Sequence, residues 1–136
     1  MSNNKGSRRG PLTFDDVREI ALSLPDVEET TAYGMPAFKA GKTRFAGRPV
    51  ERSDVEPNTL GVSVSLEERD MLLAARPDVY YVTEHFANHP AVLARLTNMR
   101  RAELRELLGT AWRHAMEQTP AKKKRRAAAP SRGVRR

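Results

Sequence analysis

The chain contains no cysteine. Disulfides, thiolate zinc sites and a thiol nucleophile are therefore excluded, and the composition suits a reducing compartment. No apolar run approaches the roughly 20 residues of a membrane-spanning helix. The first ten residues, Met1 to Gly10, lack the apolar segment of a secretory signal. The expectation is a soluble, cytoplasmic protein with no membrane association. Gly-rich phosphate loops and nucleophile elbows are also missing, and neither Ser63 nor Ser65 has a base near it in sequence. No catalytic, cofactor or metal residues are assigned, and the expectation is a protein that is not an enzyme.

Acidic residues are absent from both ends. Residues 1–10 carry Lys5, Arg8 and Arg9 and no acid, and residues 121–136 carry eight cations and no acid. Of 24 Lys and Arg, 13 remain between residues 11 and 120, where all 17 Asp and Glu reside, so this part is −4 while the whole chain is +7. The basic character lies in the termini, and an electrostatic case for a polyanionic partner rests chiefly on the C-terminal one. At 136 residues the length suits one domain with a single core.

Along the chain, residues 1–11 read as a disordered leader, residues 12–119 as the folded domain and residues 120–136 as a disordered basic tail. Thr13 is placed to cap a helix over 14–24, with Leu12 stapled to Val17 and an apolar stripe of Phe14, Val17, Ile20, Ala21 and Leu24 ended by Pro25. Val27 to Ala32 is a candidate strand leading into a hairpin that turns at Ala40-Gly41-Lys42. In that hairpin, Phe38 and Phe45 facing a core would send Lys39 and Arg44 to the opposite side, with Lys42 at the tip. Gly47 to Pro57 reads as a loop, and Thr59 to Val64 alternates as a strand.

The run Ser65-Leu66-Glu67-Glu68 is a capping box opening a helix that stops before Pro77. Val79 to Thr83 and Val92 to Leu96 read as strands on either side of a polar connection. Asn98 is the expected N-cap of a long helix to about Gln118, whose buried stripe is Leu104, Leu107, Leu108, Ala111 and Ala115. The order, α-β-β-β-(β)-α-β-β-α, implies an α+β two-layer sandwich: an antiparallel sheet with helices on one face.

Lys122, Lys123, Lys124, Arg125, Arg126, Arg132, Arg135 and Arg136 are the strongest candidate nucleic-acid contacts, since cations spaced this densely neutralise phosphates without a fixed fold. Lys39, Lys42 and Arg44 are weaker candidates, readable equally as a solvated strand face. Neighbouring Tyr80 and Tyr81 alternate, so one at most is open to stack on a base. Arg95 is expected to pair with a carboxylate. Glu84, His85 and His89 hold the only metal-like spacing, but Pro90 and the polar loop argue against the helix that would make the histidines converge. Trp112 reads as core.

The ordered succession Y-G-M-P-A-F-K, G-K-T-R-F-A, S-L-E-E-R-D, V-Y-Y-V-T-E-H-F, A-V-L-A-R-L and E-L-R-E-L-L-G-T-A-W resembles the MmcQ/YjbR family from about Leu12 to Thr119. The resemblance implies a sheet-and-helix fold akin to secretion chaperones and a DNA-binding-like domain. The family pattern falls on Pro36, Phe38, Lys39, Gly41, Lys42, Phe45, Thr83, His85, Arg95 and Trp112, with Glu84 where the family form has proline. The tail lies outside that pattern and is similar to the basic extensions of bacterial nucleoid-associated proteins. The resulting expectation is a monomeric protein that binds DNA or another nucleic acid without sequence preference, with nucleoid association compatible. The alternative is a protein-interaction module whose tail only adds solubility.

Overall fold

The computed structural model describes residues 11–50 and 52–118, apart from the side chain of His85. Its first helix, α1 (Phe14–Leu22), begins on a complete capping box. Thr13 Oγ1 accepts from the Asp15 amide at 3.2 Å, and Asp16 Oδ2 accepts from the Thr13 amide at 2.8 Å. These bonds satisfy donors that a helix start leaves open. Leu12 and Val17 lie in the same buried cluster, as the staple requires. The helix ends two residues earlier than its apolar stripe suggests. The amides of Ser23 and Leu24 reach back only three residues, to Ile20 and Ala21, because Pro25 disfavours a helical Leu24.

Four strands follow: β1 (Val27–Ala32), β2 (Met35–Ala40), β3 (Thr43–Gly47) and β4 (Thr59–Ser63). Helix α2 (Leu66–Ala75) then leads to β5 (Tyr80–Tyr81) and β6 (Ala91–Arg95), and α3 (Arg101–Gln118) closes the fold. The six strands form one antiparallel sheet in the order β1-β2-β3-β4-β6-β5. The architecture is α+β, as the pattern implies.

Further expectations are corrected: the strand expected over Val92 to Leu96 runs Ala91–Arg95, with Leu96 opening a 3-10 turn. Only Tyr80 and Tyr81 of the stretch 79–83 join the ladder. Beyond them the chain bends into a single 3-10 turn, with Phe86 N bonded to Thr83 O, so Val82 and Thr83 have left the sheet. Asn98 does not cap α3. It sits in a 3-10 turn and its amide Nδ2 donates to Asp78 O at 2.6 Å, while Glu103 Oε1 accepts from the Arg100 amide at 2.9 Å at the helix start. At Ser65 the hydroxyl half of the capping box forms, accepting from Glu68 N at 3.0 Å.

One face of the sheet carries the core. Phe38, Phe45, Leu60, Val62, Val64 and Val92 pack with Val17 and Ile20 of α1 and with Leu104, Leu108 and Ala111 of α3. Leu72 and Leu73 of α2 pack against the same cluster from its margin, so all three helices serve one face. Phe14 stacks on Phe38 with ring centroids 5.7 Å apart. A bulge aids this packing: Phe38 pairs with Ala46 and Lys39 with Arg44, leaving Phe45 as the extra residue. Ala37 and Leu93 are buried but belong to the opposite face, outside the core cluster.

Candidate nucleic-acid interface

The β2–β3 hairpin turns through Gly41 and Lys42, with Gly41 at φ +62°, a position that glycine fills without strain. As the alternation implies, Phe38 and Phe45 are fully buried, and Lys39 and Arg44 leave by the other face. Lys39 and Arg44 are direct cross-strand partners, and Lys39 Nζ lies 3.8 Å from Glu28 on β1. Arg44 and Lys42 are exposed and make no ion pair among the described residues. Residues Lys122 to Arg136 lie outside the described residues, so their eight cations are not placed relative to the hairpin.

Directly paired residues share a face of a sheet. On the helix-free face one such row runs Thr30, Ala37, Gly47, Gly61, Leu93, Tyr81. Its middle is built of small residues, and a groove of about 740 Å³ lies over it. Glycine suits position 47: a Cβ there would be crowded, approaching Ala37 Cβ to 3.0 Å and Pro36 O to 3.2 Å. The walls are Pro49 and Val50 from the β3–β4 connection and Phe86 and His89 from the β5–β6 connection, the last two meeting ring edge to ring face at 6.1 Å. Arg69 of α2 fixes the second wall by donating to the carbonyls of Ala87 and His89 at 2.9 and 3.2 Å.

Among the described residues, the charges that line the groove are of one sign. Arg44, Arg48 and Arg52 contribute to its lining, and no carboxylate does among the described residues, although residues 11–120 as a whole are acidic. The three arginines differ. Arg48 stands over the Phe14 ring at 5.6 Å and Arg52 lies 3.9 Å from Asp54, which leaves Arg44 as the lining arginine without an ion-pair partner among the described residues.

Tyr33 stands at the rim, 85% exposed. It occupies a two-residue turn between β1 and β2 with φ +55°, followed by Gly34 at +80°. Two successive positive φ values mark a type I′ turn, whose first position favours Asn, Asp or Gly. The sequence signal was a Tyr-Gly pair between two short runs, which the hairpin at Gly41 overshadowed.

The remaining candidates are held locally. Arg95 Nε donates to Glu56 Oε1 at 2.9 Å and its guanidinium lies 4.4 Å from the Tyr81 ring centroid. The Glu56 carboxyl is held below the usual range by that bond. Tyr81 Oη meets Thr59 Oγ1 at 2.8 Å and accepts from the Glu56 amide at 2.9 Å, so the half-buried tyrosine pins the 52–57 loop. Tyr80 is the buried neighbour. Trp112 is half-buried and its Nε1 donates to Pro25 O at 2.9 Å. Among the described residues no cluster of three His, Asp or Glu side chains is arranged to hold a metal, and no helix is long and apolar enough to cross a membrane.

A family profile described as YjbR matches residues 22–114. Uncharacterized proteins of Mycobacterium tuberculosis and Mycobacterium bovis are 35% identical over 113 residues, covering 74% of this chain and 85% of their own. A crystal structure of a Deinococcus radiodurans protein with the domain DUF419 superposes with a TM-score of 0.66 at 24% identity, covering 87% of this chain and 89% of that one. This last likeness concerns the fold.

Proposed function

The chain belongs to the MmcQ/YjbR family, and from the division of its charge we propose that it is a non-catalytic protein that binds nucleic acid through phosphate contacts. The carrying observation is the run of eight cations with no acid from residue 121 to 136, attached to a domain of opposite net charge. Such a run gains affinity by releasing condensed counterions and needs no particular base sequence. Lys42 and Arg44 support the reading from the folded part, being exposed and without ion pairs among the described residues. Lys39 contributes less, because Glu28 is 3.8 Å away.

The test is a salt series of DNA binding by the full chain and by a chain ending at Pro120. If the tail neutralises up to eight phosphates of duplex DNA, log affinity falls against log salt with a slope between about −5 and −7. Equal affinity of the shortened chain at the same salt would remove the tail from the mechanism.

One observation favours a second reading, a protein-interaction module. Helix α2 buries no residue fully and exposes Leu66 and Met71 at 49% and 58%, apolar side chains that a partner could cover. Under that reading Met71→Glu abolishes capture of a partner and removal of the tail does not.

A further inference from the structure

We infer that the groove on the helix-free sheet face holds an unpaired nucleotide of a single strand, with its base against Tyr33 and its phosphate on Arg44. The inference rests on the nucleic-acid reading above and specifies which form of nucleic acid the folded domain itself takes.

Three independent features select this occupant. The first is charge: the lining includes three arginines and no described carboxylate, in a domain whose residues 11–120 sum to −4. An anion is the complementary guest, and Arg44, exposed and without an ion pair among the described residues, is placed to meet it. The second is the floor. Gly47 and Gly61 drop it to the backbone, and Ala37 and Leu93 make it apolar. A bare phosphate gains nothing from such a floor, whereas a base offers a flat apolar surface to it. A duplex keeps its bases stacked inside, so the base must come from a single strand.

The third feature is Tyr33. A bulky residue in the left-handed region is disfavoured, and strain of this kind persists where function uses it. With 85% of its surface in water, the ring contributes little packing to the fold that would explain its retention. It is placed at the rim as a stacking platform, which is how aromatic side chains hold successive bases of single strands without reading their identity.

The experiment uses the full chain and two fluorescein-labelled probes at one fixed salt concentration: a twelve-residue oligothymidylate and the duplex it forms with its complement. Tyr33→Asn keeps the turn, because asparagine suits its geometry, and removes the ring. The expected result is a loss of about tenfold in single-strand affinity, with duplex affinity and thermal midpoint not lowered. Tyr33→Phe retains single-strand affinity. Arg44→Gln weakens single-strand binding several-fold. Gly61→Ala raises the floor by one methyl in ordinary contact, 3.6 Å from Leu93, and weakens the same probe.

Unchanged single-strand affinity in Tyr33→Asn and Gly61→Ala, with both probes still lost on removing the tail, would overturn the groove inference and leave the proposed function standing. Absence of binding to either probe by the full chain would overturn both.

Discussion

Arg101 on α3 donates from Nη1 to Asp16 Oδ1 on α1 at 2.8 Å, across 85 positions of sequence. Asp16 is 1% exposed, and its other carboxylate oxygen closes the capping box of α1. A buried charge is costly unless it is paired and hydrogen-bonded, so this carboxylate commits the start of α1 to the start of α3. The outer nitrogen of the same guanidinium reaches Glu19 at 3.0 Å, where solvent screens the pair.

Replacing Arg101 with Met should cost about 2 kcal/mol, the scale of a hydrogen bond to a charged group. Asp16→Ala should cost about 3 kcal/mol, since the cap is lost as well. Urea unfolding of both single variants and the double variant checks this. The double variant is expected to fall short of the sum, because the two residues share one interaction.

Phe45→Ala should cost about 3–5 kcal/mol, the range for emptying a buried aromatic site. Its ring is fully buried, and as the bulged residue of β3 it enters a cluster shared with α1 and α3. Lys39→Ala should move stability by less than about 0.5 kcal/mol, given an exposed ion pair of 3.8 Å. Chemical unfolding of the pair compares the two faces of one hairpin, and equal costs would contradict the assignment of faces.

Gly47→Ala and Gly61→Ala should differ although the two residues are cross-strand partners. A methyl at Gly47 meets backbone and Cβ atoms at 3.0–3.2 Å, while one at Gly61 meets its neighbours at 3.6 Å. The first should destabilise by about 1–3 kcal/mol through overpacking. The second should be neutral or slightly stabilising, since glycine weakens a strand interior. Thermal midpoints of the two variants decide it.

Stability should decline at both pH extremes for different reasons. Burial pushes the Tyr80 hydroxyl up to about 12, with Glu103 adding to the rise. The unfolded chain ionises near 10, so the stabilisation is complete below pH 10 and is lost as the pH rises towards 12. Tyr80→Phe should flatten that decline. Hydrogen bonds from Arg18 and Arg76 hold Glu29 and Asp78 below the usual carboxylate range. Their contribution is present above about pH 4 and disappears as they protonate below it. Unfolding midpoints measured from pH 3 to 11 on both chains would expose a missing alkaline difference.

Much of this fold is legible from local chemistry. Thr13 and Ser65 announce helix starts because their hydroxyls satisfy backbone donors three residues away or nearer. Leu60, Val62 and Val64 announce a strand because the side chains of an extended chain alternate. The same alternation placed Phe45 inside and Arg44 outside. Asn98 misleads for an equally physical reason: its side chain bonds the Asp78 carbonyl, a partner twenty residues away that capping preferences ignore. The short β5 likewise reflects the turn at Thr83 and not the strand propensity of Val-Tyr-Tyr-Val-Thr.

The candidate groove was far less legible. Its floor comes from β2, β3, β4 and β6 and its walls from two connections, so no window of sequence contains it. Tyr33 is hidden further, because turn preferences argue against tyrosine at a left-handed position.

The sequence by itself determined the order of elements, the two faces of the β2–β3 hairpin and the separation of a basic terminal run from an acidic domain, since these depend on neighbours along the chain. Only the tertiary structure decided that Ala37, Gly47, Gly61 and Leu93 form one row, and that Tyr33 and Arg44 border the same groove. Strand register is set by packing between distant segments, and it turned scattered small residues and a strained tyrosine into one surface.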